Sequence, residues 1–193
     1  MKKLILASSS KYRRALLERL KIPFEWLSSE IDEVVKEKES AYQLVKRLSL
    51  AKAQTVALDK PDAVVIGSDQ VAVFDNKIIG KPGSFDVAFE QLKQFSGNQI
   101  KFISGVAVVC ANEAKEHYEY SEVVVGFKVL SDQQIENYLT NDEPYDCAGS
   151  FKVESLGIAL FDYVRSEDPT SLEGLPLITL CKLLAKHDLT ILK

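Results

Sequence analysis

Two short, unbroken apolar runs constrain the fold most. Leu4-Ile5-Leu6-Ala7 and Ala63-Val64-Val65-Ile66-Gly67 contain no polar side chain, and runs of this length read as strands buried in a sheet. Between and after them the spacing turns helical. Lys11–Lys21, Ser40–Leu58, Ser84–Phe95, Ser131–Thr140 and a last stretch from Pro176 to Lys186 read as helices, with Ser8–Ser10 and Ser131 supplying capping hydroxyls. Phe24–Leu27 reads as a further strand. Val71–Phe74 and Lys77–Ile79 form a predicted hairpin around Asp75-Asn76. Ile100–Cys110 and Glu116–Val129 are two long strand-like runs with Asn112 at the turn between them, and Gly149–Leu160 reads as loop and strand. Interleaved helices and strands predict an α/β or mixed α+β class. The adjacent runs after Ile100 predict that part of the sheet is antiparallel. A chain of 193 residues suits one compact domain, or two lobes that share a sheet.

Composition narrows the partners. A net charge of −4 disfavours broad nucleic-acid binding, which needs a basic surface, but leaves room for a small basic pocket. Cys110, Cys147 and Cys181 are far apart and odd in number, which fits reduced thiols rather than a disulfide framework. His117 and His187 lie near no cysteine motif, so no zinc signature is present. Met1-Lys2-Lys3 precedes only a short apolar run that the serines end, which is not a signal peptide. No stretch approaches the roughly 20 apolar residues that span a bilayer. The expected location is the cytoplasm, with no membrane partner.

The first strand, loop and helix hold the first chemical signal. A helix N-terminus binds anions through free N–H groups and its dipole, and Ser8, Ser9 and Ser10 add hydroxyls. Arg13 and Arg14 sit in the first turn, where positive charge opposes the dipole unless an anion is present. Arg13 precedes Leu16, Leu17 and Leu20 at helical spacing and so shares the inward face. Periodicity alone fits equally a surface arginine pair with serine capping. Gly67-Ser68-Asp69-Gln70 follows the most apolar strand, at the kind of carboxyl end where open α/β sheets bind ligands. Asp69 there suits metal binding or water orientation, or simply caps a turn. Lys52 continues the apolar row of Leu44, Leu48 and Ala51, where a lysine either snorkels or meets an anion. Gly80-Lys81-Pro82 presents one lysine on a fixed loop, and Glu30-Ile31-Asp32-Glu33 is either a solvated acidic loop or a source of a metal ligand.

Taken in order, Leu6-Ala7-Ser8-Ser9-Ser10 with Arg13-Arg14, Ile31-Asp32-Glu33, Ala51-Lys52-Ala53, Gly67-Ser68-Asp69-Gln70, Gly80-Lys81-Pro82, Ala148-Gly149-Ser150-Phe151 and Gly174-Leu175-Pro176-Leu177 cover nearly the whole chain. This ordered set resembles the Maf family of nucleotide pyrophosphatases. The resemblance implies one Maf-like domain over residues 1–193, with an elongated, twisted mixed sheet flanked by helices and two lobes around a central cleft. It implies hydrolysis of a nucleoside triphosphate to monophosphate and pyrophosphate, a divalent metal (Mg²⁺ or Mn²⁺), a cytoplasmic location, and it allows a homodimer.

Within that family, one branch takes dTTP and UTP and another takes 7-methyl-GTP, distinguished at three positions. Tyr12, Gln70 and Glu154 occupy them here, so the chain resembles the 7-methyl-GTP branch, although close members favour tryptophan where Tyr12 stands. The chemistry agrees with that reading. N7-methylated guanine is cationic, and an aromatic ring attracts a cation by about 0.5–2 kcal/mol. A carboxylate at position 154 can accept the guanine N1–H and amine. The implied mechanism is water attack at the α-phosphorus, with Asp69 as general base or metal-bound orienter and Glu33 beside it at the metal. Ser8, Arg13, Lys52 and Lys81 then bind the phosphates. A dTTP/UTP pyrophosphatase and a non-catalytic nucleotide-binding regulator of cell division are the competing expectations.

Overall fold

The computed structural model describes residues 2–192. Strand β1 (Leu4–Ala7) leads into helix α1 (Lys11–Glu18), then β2 (Glu25–Leu27) and the long helix α2 (Ala41–Asp59). Strands β3 (Val64–Phe74) and β4 (Lys77–Ile79), helix α3 (Phe85–Phe95), strands β5 (Gln99–Cys110) and β6 (Lys115–Phe127), and helix α4 (Asp132–Asp142) follow. Strand β7 (Phe161–Ser166) and helix α5 (Leu177–Ala185) complete the order. The seven strands form one mixed sheet, β2-β1-β3-β5-β6-β7, with β4 also on β3. β1 is parallel to β2 and β3, and the other pairings are antiparallel.

Side-chain alternation along β3 explains the layers. Val64 and Ile66 pack with Leu16, Leu17, Leu180 and Leu183 of α1 and α5. Val65 turns the other way and packs with Ala53, Val56 and Ala57 of α2. Further along the same strands, Ala72, Ile100, Phe102, Val123 and Val125 pack with Ala88, Leu92 and Phe95 of α3 and Ile135 and Leu139 of α4. Three long strands thus run from one helical layer into another. Each fully buried Val, Leu, Ile or Phe side chain among these contributes about 1.5–3 kcal/mol of transfer free energy.

Four expectations need correction. β3 does not end at Gly67: it continues to Phe74, because antiparallel pairing with β5 runs unbroken from Val65 to Val73. Asp69 therefore lies within a strand, not beyond one. Helix α1 stops at Glu18, and three consecutive turns carry the chain to Lys21, which has φ of 55°. The segment 149–160 holds no strand; Gly149 and Ser150 have positive φ and Leu156–Leu160 is a 3₁₀ turn. The strand β7 comes after it, on the open edge of the sheet, where among the described residues β6 alone pairs with it.

The register of β3 also creates a gap. On the side away from β5, β1 pairs with Val64–Ile66 and β4 with Ala72–Phe74. Among the described residues no strand covers 67–71 on that side. The Ser68-Asp69-Gln70 segment thus has a free backbone edge, flanked by the serine loop after β1 and the Gly80-Lys81 loop after β4.

Candidate functional site

A cleft of about 790 Å³ opens on that gap, lined by Ser8, Arg13, Glu33, Lys52, Asp69 and Lys81 among others. Each side chain is held by the element beneath it. α2 begins with a capping box in which Ser40 and Gln43 satisfy each other's end groups. Its buried face, Leu44, Val45, Leu48, Ser49, Lys52, Ala53, Val56 and Ala57, presents one lysine in an apolar row. That lysine does not snorkel. Lys52 is 6% exposed, and its Nζ lies 2.7 Å from Asp69 Oδ1 and 2.7 Å from Glu33 Oε1. It binds two carboxylates in this structure, rather than standing as an isolated phosphate ligand.

Burial pushes the Glu33 carboxyl up, but the hydrogen bond and charge of Lys52, with Lys81 and Arg13, bring it below the ordinary carboxylate range. Glu33 is thus held as an anion in the midst of three cations. Asp69 and Glu33 supply hard oxygen donors that converge on one point of positive charge. Among the described residues no third acid, histidine or cysteine joins them. Such a pair fits Mg²⁺ or Mn²⁺ bound mainly through substrate phosphates and water, with one or two protein carboxylates.

Arg13 enters from α1, whose cap is Ser10. Its Nε donates to the Gly174 carbonyl at 2.9 Å, and the guanidinium borders the cleft. Burial lowers its pKa, opposed by the charges of Asp69 and Glu33. Arg14 instead stacks on Trp26, 4.3 Å from the ring centroid. Ser8 is 7% exposed and its Oγ accepts the Ser10 N–H at 3.2 Å, which shapes the loop and leaves the hydroxyl proton for a ligand. Lys81 is exposed on its loop.

The cleft continues into a smaller pocket of about 140 Å³ that gathers Tyr12, Gln70 and Glu154 with Asp146, Cys147 and Glu173. Burial, with Cys147, Asp146 and Glu154 nearby, raises the Tyr12 phenol well above its usual range, so the ring stays neutral. Partial burial and then Glu173 raise Glu154 above the ordinary carboxylate value. The Cys147 thiol is pushed up to about 12 by burial and by Asp146, which keeps it protonated. The Gln70 amide nitrogen is fully engaged. Its Nε2 donates to the Ser171 and Leu172 carbonyls at 2.7 and 3.2 Å and to Ser104 Oγ at 3.0 Å. The amide therefore offers the pocket its oxygen, and not both a donor and an acceptor.

The 168–176 loop also shapes the site, and its sequence alone does not assign it that role. Pro176 caps α5 without a side-chain hydrogen bond. Asp168 and Thr170 do so instead, accepting the Thr179 and Leu177 N–H groups at 2.9 and 2.8 Å. Gly174 has φ of 101°, a conformation that favours glycine, and this turns its carbonyl toward both Arg13 and Ser68. A buried acid followed by Pro-Thr, then Gly-x-Pro, was the available signal.

The profile of the Maf family, described as Maf-like protein, matches residues 3–187. A protein of Albidiferax ferrireducens named 7-methyl-GTP pyrophosphatase is 47% identical, covering 99% of this chain and 96% of that protein. One of the same name from Bordetella pertussis is 50% identical over 97% of this chain and 93% of its own length. A HAM1 protein structure from Coxiella burnetii shares the fold, with a TM-score of 0.53 at 11% identity, over 96% of this chain and 100% of the other.

Proposed function

The chain belongs to the Maf family, and we propose that it is a nucleoside triphosphate pyrophosphatase that cleaves 7-methyl-GTP to 7-methyl-GMP and pyrophosphate, removing modified nucleotides. One observation carries the reading. The acid–lysine–acid group Glu33, Lys52 and Asp69 opens directly into a pocket holding an aromatic ring and a carboxylate, Tyr12 and Glu154. Such a continuous site suits a phosphate chain at one end and a cationic base at the other.

In this reading the triphosphate lies along the free edge of β3. Arg13, Lys81 and the Ser8 hydroxyl receive phosphate oxygens. Lys52 fixes the Asp69 carboxylate through Oδ1, and Asp69 accepts the proton of the water that attacks the α-phosphorus. The bond from that phosphorus to the bridging oxygen breaks, and pyrophosphate leaves. Glu33 and Asp69 would hold a divalent cation, which would supply further neutralisation of the phosphate charge. The Tyr12 ring stacks on the methylated base, while Glu154 and the Gln70 oxygen accept its N–H groups.

The three free cysteines and the absence, among the described residues, of a helix able to cross a membrane accord with a cytoplasmic enzyme. A carboxylate and ring in the base pocket favour a cationic purine over dTTP or UTP. The fully furnished acid and cation set favours turnover over regulation by binding alone.

Product analysis tests the proposal. Phosphorus NMR of a 7-methyl-GTP digest should show pyrophosphate and monophosphate in equal amounts. Orthophosphate with 7-methyl-GDP would place attack at the γ-phosphorus and sink it. Asp69→Asn should lower kcat by at least about 10²-fold, the usual scale for losing a general base, with KM little changed.

A further inference from the structure

We propose that Ser104 is a positioning residue that locks the Gln70 amide so that only its oxygen reads the base, which makes the pocket selective for a purine edge with two adjacent donors. This deepens the guanine reading above and rests on it.

Ser104 and Gln70 are cross-strand partners on β5 and β3, so both side chains stand on the same face of the sheet. Ser104 is fully buried. Its hydroxyl donates to the Ser171 carbonyl at 2.7 Å, which commits its proton and turns its lone pairs to Gln70 Nε2 at 3.0 Å. The Ser171 and Leu172 carbonyls complete a ring of three acceptors around that nitrogen. Rotating the amide by half a turn would set its oxygen against two carbonyl oxygens and a hydroxyl whose proton is given to Ser171, so that acceptor would face acceptor. The oxygen instead lies on the Gly174 side, 3.7 Å from where a side chain there would begin.

The base pocket then offers two acceptors, the Gln70 Oε1 fixed by its amide's partners and the Glu154 carboxylate. Guanine presents two neighbouring donors, N1–H and the exocyclic amine. Hypoxanthine retains only N1–H, and adenine has an acceptor at N1. A site built around hydrogen bonds rejects an analogue that lacks one of the groups, because its own polar atoms are left unpaired.

The experiment compares kcat/KM for 7-methyl-GTP with that for 7-methyl-ITP, and for GTP with that for ITP, in wild type, Ser104→Ala, Ser104→Cys and Ser104→Thr. The wild type is expected to favour the 2-amino member of each pair by at least tenfold. Ser104→Ala and Ser104→Cys should cut that ratio several-fold by raising KM for the guanine nucleotides, leaving kcat and the inosine values near wild type. Ser104→Thr, which keeps the hydroxyl, should restore the ratio. Equal rates within each pair in the wild type, or an unchanged ratio in Ser104→Ala or Ser104→Cys, would overturn the proposal. A wild type that separates GTP from ITP but ignores the methyl group would overturn the substrate reading and leave Ser104 in its role.

Discussion

Lys52 reaches Asp69 at 2.7 Å because the strand beneath the helix carries no side chain at Gly67. A Cβ at that position would lie 2.2 Å from the Ser49 carbonyl and 2.7 Å from the Ala53 nitrogen, both backbone atoms of α2. Gly67→Ala should therefore push α2 off the sheet. Overpacking of this kind costs about 1–3 kcal/mol, or several degrees in Tm for a chain this long. Turnover should fall further than stability, since the displaced lysine no longer holds Asp69. Thermal melts and kcat measured together check this; a variant with wild-type kcat would show that the close approach is not needed.

The proposed cation site at Glu33 and Asp69 predicts metal dependence. Chelation should abolish pyrophosphate release, and Mg²⁺ or Mn²⁺ should restore it. Glu33→Gln should raise the metal concentration needed for half-maximal rate by about tenfold, the effect of losing roughly 1.4 kcal/mol of binding. Full turnover in excess chelator would refute a role for the cation.

Much of this was legible in the sequence, for definite reasons. Strand β1, the serine cap and the inward Arg13 follow from an apolar run meeting a helical period, and Lys52 stood out as a charge in an apolar row. The partner of Lys52 was not legible, because Glu33 lies on a loop and Asp69 on a strand that only the fold brings together. Asp69 was expected beyond a strand end, since a Gly-Ser-Asp-Gln sequence reads as a turn; pairing with β5 overrides that local preference. Gln70 shows the same limit. Its residue type allows donation and acceptance, and only its partners in the fold, Ser104 Oγ with the Ser171 and Leu172 carbonyls, decide which half is used. Strand β7 is not legible in the sequence because, as a partly exposed edge strand, it alternates weakly.

The raised Glu154 pKa gives a pH signature. A carboxyl above the ordinary range protonates earlier as pH falls, so the charge that complements a cationic base disappears at a higher pH than an ordinary glutamate would allow. The ratio of kcat/KM for 7-methyl-GTP over GTP should drop through that window. Glu154→Gln should be flat across it and lower throughout, by roughly 10-fold or more if a charge-assisted bond of about 1.5–3 kcal/mol is lost. A wild-type ratio independent of pH would argue that Glu154 does not face the base.

Stability should carry a separate pH term. His187 is fully buried, 3.1 Å from His117 Nδ1 through its Nε2, and burial, then His117 and Lys115, lower its pKa from the ordinary 6.5. Glu113 opposes this and Lys2 reinforces it. The unfolded chain binds the proton more readily, so the full stabilisation is present above pH 6.5 and is lost as pH falls from there through the folded value. Tm should decline over that range, and His117→Gln should flatten the decline. A Tm unchanged between pH 7 and 5 would contradict the assignment.

The most direct measurement compares pyrophosphate release from 7-methyl-GTP, GTP, dTTP and UTP by the wild-type protein under one set of conditions. The site of Tyr12, Gln70 and Glu154 joined to Glu33, Lys52 and Asp69 predicts the highest kcat/KM for 7-methyl-GTP. Faster turnover of dTTP or UTP, or no pyrophosphate from any of the four, would contradict it.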